Sequence, residues 1–319
     1  MPLKYDPDFF EVLKPLLPTL SQVPPLAAHD IDGRRQRHEA QIAQSNIPEA
    51  PGVAIEELKF QSFDGALITI LRVYPTEEFA NGKITPAYLH AHGGGMMFGA
   101  ARNYINAQAH TVAATRIPMF SVDYRKAPEH PYPTPIQDAY AALLWIQEHA
   151  STFNIDPSRI GVTGESSGAG LAAGVAIMAR DKGLSPPLRK QVLIYPMLDD
   201  RNTTPLPDVE QMAFWKVDDN LTGWTALLGE HIGKKDVSPY AAPARLTSAE
   251  GLPPIYADVG DLDIFKFEII DYVQKFVKAG ISAEFHLYPG LPHGWEGLAP
   301  MIPATMRAAA NRNRALLDI

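Results

Sequence analysis

The chain has 319 residues, 46% hydrophobic and 20% charged, which is enough apolar side chain for a packed core and rules out general disorder. Its 28 Lys and Arg stand against 36 Asp and Glu, a net charge of −8 and the wrong sign for a nucleic acid or an anionic membrane surface as partner. It has no Cys, so disulfides, thiolate metal sites, iron–sulfur clusters and a cysteine nucleophile are excluded.

The first eight residues carry acidic side chains and prolines where a secretory signal would have a basic start and an apolar run, so a cytoplasmic location is expected. Up to Asn46 the pattern is helical but broken by Pro15, Pro18, Pro24 and Pro25, which predicts short helices lying over something else. Val53 to Phe60 and Ala66 to Tyr74 are rich in β-formers around Asp64-Gly65, a hairpin signal. Strand-like runs follow at 87–91, 119–122, 160–163, 191–195, 255–259 and 283–288. They alternate with helix-like segments at 103–115, 135–149, 167–181, 264–279 and 303–317. Such alternation predicts an α/β fold with a mostly parallel sheet covered on both faces. The longest stretch without strongly polar residues, Gly168 to Ala179, is too short to span a bilayer. The segment 199–249 shows no strand and is expected to be an insertion above the strand ends, where ligands of open α/β sheets bind. The predicted layout is therefore 1–46 as N-terminal helices joining a cap, 47–198 and 250–319 as the two parts of the core, and 199–249 as the cap insertion.

The strongest chemical signal is Gly164-Glu165-Ser166-Ser167-Gly168, a G-x-S-x-G pentapeptide between a strand and a helix. At such a turn Ser166 is exposed at the positive end of a helix, and glycines on both sides let the chains approach. Upstream, His92-Gly93-Gly94-Gly95 closes a strand. The N–H groups of Gly94, Gly95 and Ser167 are the expected oxyanion donors of an acyl transfer. His293, in the loop after the last strand, is the expected base, and Asp261 or Asp263, both just past the strand 255–259, the orienting acid. Met97, Phe98, Phe214, Trp215 and Trp295 are expected to wall an apolar substrate pocket. His90 and His92 form an H-x-H pair with no third ligand at a metal-binding spacing, and no Gly-Lys-Ser/Thr follows the glycines at 164–170. Neither a metal nor a nucleotide cofactor is expected. The segment 123–138, with charges and prolines, is expected to be a structural loop beneath the site.

Taken together, His92 to Gly95, Asp123-Tyr124-Arg125-Lys126-Ala127-Pro128-Glu129-His130, Gly164 to Gly168, Asp263 and His293-Gly294 resemble the hormone-sensitive lipase family of α/β-hydrolases, also called bacterial family IV esterases. The resemblance covers about Pro86 to Trp295. It implies an eight-stranded sheet with a helical cap, and a Ser166, His293, Asp263 triad. The family's D-P-L-R-D-E segment falls on Asp263 to Glu268, which selects Asp263, with Ile264 and Phe267 in place of the usual Pro and Asp. Ser167 stands where the family commonly has Ala, and Glu165 where Asp is frequent. The implied activity is hydrolysis of short- to medium-chain carboxylic esters, small-molecule substrates, by a serine esterase that works as a homodimer. An amidase or acyltransferase would use the same triad, and the plant gibberellin receptors of this family bind ligand without the catalytic histidine, which is present here as His293.

Overall fold

The computed structural model describes residues 2–44 and 47–319, so the expected boundary at Asn46 falls outside the described residues. Eight strands form one sheet: β1 (Val53–Gln61), β2 (Leu67–Pro75), β3 (Thr85–Ala91), β4 (Met119–Val122), β5 (Ile155–Glu165), β6 (Gln191–Ile194), β7 (Ile255–Gly260) and β8 (Ala283–Tyr288). Their order is β1-β2-β4-β3-β5-β6-β7-β8. Strand β2 runs antiparallel to both neighbours, and from β4 to β8 every pair is parallel. The α/β class, the hairpin and the mostly parallel sheet are as the sequence predicts.

The helices are α1 (Pro7–Leu13), α2 (Leu17–Leu20), α3 (Ile31–Gln44), α4 (Thr76–Ala80), α5 (Ala101–Thr115), α6 (Thr134–Glu148), α7 (Ser167–Asp181), α8 (Pro207–Glu210), α9 (Val217–Leu228), α10 (Lys266–Lys278) and α11 (Pro303–Leu317). Helix α10 buries Ile269, Tyr272, Val273 and Phe276, the i, i+3, i+4, i+7 stripe of a helix lying on a sheet. Helix α7 is buried all round, and its small residues make this feasible. A Cβ on Gly168, Gly170 or Gly174 would run into the backbone carbonyls of Ala91, Met197 or Tyr240. The helix that follows Ser166 is thereby pressed directly against β3 and the loop after β6.

Two features differ from the sequence expectation. The single-turn α4 carries no periodic signal and was not anticipated. Strand β5 starts at Ile155 rather than Ile160, because Thr85 pairs with Ile155 across an irregularity before the regular Ala87–Ile160 register.

The insertion between β6 and β7 contains α8 and α9 and no strand, as expected. Its base is closed by a buried ion pair in which Arg245 Nε and Nη2 donate to the Asp200 carboxylate at 2.5 and 2.8 Å. The N-terminal helices lie against it: Arg34 Nε donates to Asp219 Oδ1 at 2.8 Å, and the His29 N–H to Thr222 Oγ1 at 2.9 Å. Arg35 reaches the loop after β3 instead, donating to the Met97 carbonyl at 2.9 Å and, through two nitrogens, to Glu129 at 2.7 Å each.

Candidate active site

Ser166 sits between the end of β5 and the start of α7 with φ 56° and ψ −123°, a left-handed conformation that a non-glycine residue adopts only under constraint. Its N–H donates to the Ile194 carbonyl at 2.9 Å. Its own carbonyl accepts from Gly170 at 3.1 Å and Met197 at 3.0 Å. Gly164 makes the turn sterically feasible, since a Cβ there would lie 2.5 Å from the Ala91 oxygen.

The side chain of Ser166 lies at 2.9 Å from Nε2 of His293, and Nδ1 of His293 lies at 2.6 Å from Oδ2 of Asp263. A carboxylate only accepts, so Nδ1 carries the proton and Nε2 presents its lone pair to the Ser166 hydroxyl. Asp263 is fully buried, and its other oxygen accepts the Phe265 N–H at 2.9 Å. The imidazole is fixed by rings as well: Tyr195 meets it edge-on at 4.6 Å and Phe265 at 5.1 Å with an interplanar angle of 90°. Asp261 is occupied elsewhere. It accepts the Gly290 N–H at 2.6 Å, its backbone carbonyl accepts Lys266 Nζ at 2.8 Å, and burial pushes its carboxyl above the ordinary value. Neither acid serves as the N-cap of α10, where Phe265 stands without a side-chain cap.

Facing Ser166, the loop after β3 runs through Gly94 at φ 123°, Gly95 at φ 57° and Met96 at φ 63°. Among the described residues, the N–H groups of Gly94, Gly95 and Ser167 donate to no protein acceptor. His92 anchors this loop from below. Its Nδ1–H donates to the Gly93 carbonyl at 2.7 Å, and its ring is stacked between Tyr124 at 4.4 Å and Tyr104 at 5.6 Å. Complete burial pulls the His92 imidazole down to about 3, so it is neutral at physiological pH. Tyr124 donates to the His92 carbonyl at 2.8 Å, and the Met96 N–H donates to the Ser167 hydroxyl at 3.1 Å. Ser167 thus ties the two glycine motifs together through its side chain, a role that Ala could not fill.

Of the expected pocket residues, three lie near the reacting groups. The Trp215 ring is 6.3 Å from His293 and 6.2 Å from Phe98, and the Met97 methyl would be 3.1 Å from a Cβ on Gly95. Phe214 and Trp295 are not brought there. Phe214 faces the opposite way from its neighbour, exposed and packed on Phe9 at 5.8 Å. Trp295 is fully buried behind the histidine loop, between Tyr195 at 5.8 Å and Tyr288 at 5.6 Å with Arg312 over its face. Sequence reasoning missed Tyr195, at φ 35° just past β6. Its hydroxyl donates to Glu296 at 2.9 Å and joins a network in which Arg312 bridges the half-buried Glu296 and the buried Asp258. The one hint in the sequence is its place as the last residue of the strand-like run 191–195. His90 and His92 have different partners, Ser121 and Glu165 for His90 and the Gly93 carbonyl for His92. Within 123–138, the buried Asp138 accepts from Arg125 and from Ser62.

Residues 88–297 match a family model described as alpha/beta hydrolase fold. The chain is 33% identical to carboxylesterase NlhH of Mycobacterium tuberculosis, over 97% of this chain and 96% of that one. It is also 33% identical to esterase LipI of the same organism, over 85% and 83%. Among solved structures it is similar to a bacterial heroin esterase, with a TM-score of 0.87 and 34% identity covering 99% of this chain and 98% of that one. A likeness that extends over nearly the whole chain goes beyond a shared sheet, and this chain belongs to the hormone-sensitive lipase-like esterases of the α/β-hydrolase fold.

Proposed function

We propose that this serine hydrolase cleaves carboxylic esters through Ser166, with His293 as general base and acid and Asp263 as the orienting carboxylate. The observation that carries the reading is the continuous hydrogen-bonded chain of 2.9 and 2.6 Å from the strained serine to a fully buried carboxylate. His293 takes the Ser166 proton as Oγ attacks the ester carbonyl. The oxyanion that forms accepts from the N–H groups of Gly94, Gly95 and Ser167, and His293 then protonates the departing alcohol. Water, deprotonated by the same imidazole, releases the acid and regenerates Ser166.

Met97, Phe98 and Trp215 form the apolar wall of the acyl or alcohol subsite, and the crowding of Phe98 on Gly94 and of Met97 and Trp215 on Gly95 favours short to medium chains. The N-terminal helices and residues 199–249 act together as the cap, supported by the Arg34–Asp219 and His29–Thr222 bonds. Among the described residues no helix is long and apolar enough to cross a membrane, and a cytoplasmic enzyme is proposed. A homodimer is proposed through the sheet edge at β8, where Leu287 is exposed; a monomeric mass in solution would remove this part of the reading.

The deciding experiment is hydrolysis of p-nitrophenyl esters from acetate to palmitate by the wild type and by Ser166→Ala. Turnover of the short chains that disappears in the variant is expected. An active Ser166→Ala protein would overturn the assignment, and equal turnover of short and long chains would overturn the chain-length preference.

A further inference from the structure

On the side of Ser166 away from His293 lies a second histidine–carboxylate pair that the reaction scheme leaves unused. Glu165, the residue before the nucleophile, has Oε2 at 2.8 Å from Nε2 of His90. His90 lies on β3, where its register partners are Thr163 of β5 and Ser121 of β4. Its Nδ1 is 2.9 Å from the Ser121 hydroxyl and 2.8 Å from the Gln108 side-chain nitrogen of α5. The Gln108 nitrogen is also 3.1 Å from Nε2 and so does not choose between the ring nitrogens, but a carboxylate only accepts, so Nε2–H donates to Glu165 and Nδ1 accepts from the Ser121 hydroxyl. A polar row thus crosses three adjacent strands, from the middle of the sheet to the nucleophile turn. His90 is enclosed, with its side chain 2% exposed, and Glu165 at the end of the row is partly buried, 24% exposed. Apolar side chains would fill this space without the desolvation penalty of a buried imidazole and a partly buried carboxylate, so the fold alone gives no reason for the row. Its endpoint does. The backbone of Glu165 is covalently joined to Ser166, and its carbonyl would lie 3.1 Å from a Cβ on Gly93, at the start of the oxyanion loop. A shift of Glu165 therefore moves the nucleophile and presses on the loop of expected oxyanion donors at the same time.

We propose that His90, by clamping the Glu165 carboxylate against β3, is a positioning residue that holds the Ser166 turn in register with both His293 and the oxyanion donors. This rests on the reading of Ser166 as nucleophile. The pair braces the turn from the side opposite the His293–Asp263 pair, so the strained φ of Ser166 is held from both flanks. A displacement of the order of 1 Å is enough to cost about a hundred-fold in rate.

The test compares His90→Leu, which fills the space and removes the donor, with His90→Gln, which keeps an N–H donor for Glu165. Steady-state kinetics on p-nitrophenyl butyrate, the rate of labelling by a fluorophosphonate, and Tm are measured for each, with Ser166→Ala alongside. His90→Leu is expected to lower kcat and the labelling rate by about ten- to a hundred-fold with KM within about two-fold of wild type. His90→Gln is expected to recover most of that loss at a similar Tm. Wild-type labelling of a folded His90→Leu protein, or a Gln variant no faster than the Leu variant, overturns the proposal. If His90→Leu does not fold, His90→Gln against the shorter His90→Asn carries the same comparison, and equal rates for the two overturn it. A fully active His90→Leu beside an inactive Ser166→Ala sinks the clamp and leaves the nucleophile standing. An active Ser166→Ala sinks both.

Discussion

Trp215 lies directly over the bare backbone of Gly95, so closely that a Cβ there would stand 2.6 Å from Cη2 of the indole. The insertion between β6 and β7 and the glycine loop after β3 therefore meet at a residue whose φ of 57° already disfavours any side chain. Gly95→Ala is expected to lower kcat/KM by about a hundred-fold or more by turning a proposed oxyanion donor out of line. Adding Trp215→Ala is expected to recover part of that loss, because it removes the overlap and leaves the backbone strain. A double-mutant cycle on kcat/KM measures the coupling; strict additivity would show that the contact carries nothing.

The two neighbouring acids are separable by their partners. Asp263→Asn keeps the shape and removes the acceptor that fixes the Nδ1–H tautomer of His293, and kcat is expected to fall by about three to four orders of magnitude. Asp261→Asn loosens only the Gly290 contact and is expected to stay within about ten-fold of wild type. Equal losses in the two variants would undo the distinction.

A pH dependence follows from α3. His38 packs on Phe98 at 4.8 Å, and burial lowers its pKa from the ordinary 6.5. A histidine that the fold prefers neutral contributes stability that is present above pH 6.5 and is lost as the pH falls from 6.5 through the lowered folded value. Wild-type Tm is therefore expected to drop more than that of His38→Phe between pH 7 and pH 5. Parallel curves for the two proteins would refute this. His92 titrates lower still and is common to both, so it cancels in the difference.

Arg35 ties α3 to the loop after β3 at Met97, which is proposed to wall the substrate pocket. Its contact with Glu129 is largely exposed, although it is close enough to hold that carboxyl down to about 2, and an exposed pair of this kind adds little to global stability. Its bond to the Met97 carbonyl matters more for substrate binding. Arg35→Ala is expected to raise KM by about three- to ten-fold with little change in Tm. Arg35→Lys is expected to behave similarly, because a single ammonium cannot serve Met97 and both Glu129 oxygens. Steady-state KM for a butyrate ester checks both.

The layout of the sheet was legible because 87–91, 160–163, 191–194 and 255–259, the central parts of β3, β5, β6 and β7, are almost wholly buried and rich in apolar residues, and because α7, α11, β4 and β8 have the bounds their patterns predict. The positions of Ser166, Asp263 and His293 just past strand ends were legible for the same reason. The residues alone left Asp261 and Asp263 open; the choice came from the family pattern, and in the structure it turns on the Gly290 N–H, a contact no spacing reveals. Phe214 and Trp215 show the other limit. Two adjacent aromatics in a strandless segment have no periodicity to say which points inward, and only Trp215 does. The His90–Glu165 contact spans 75 positions and depends on the β3–β5 register, which pairing decides and sequence does not.

The buried Asp200–Arg245 pair has a consequence for exchange between relatives. Residues 201–244 leave the core and return to it at one point, so the ends of this segment stay pinned whatever its interior sequence is. Loop-closure entropy grows only slowly with length, so a longer or shorter cover grafted between those two residues carries a small conformational penalty. The core can keep one reaction while the segment above it is replaced as a cassette, which makes Asp200 and Arg245 the natural splice points for transplanting specificity.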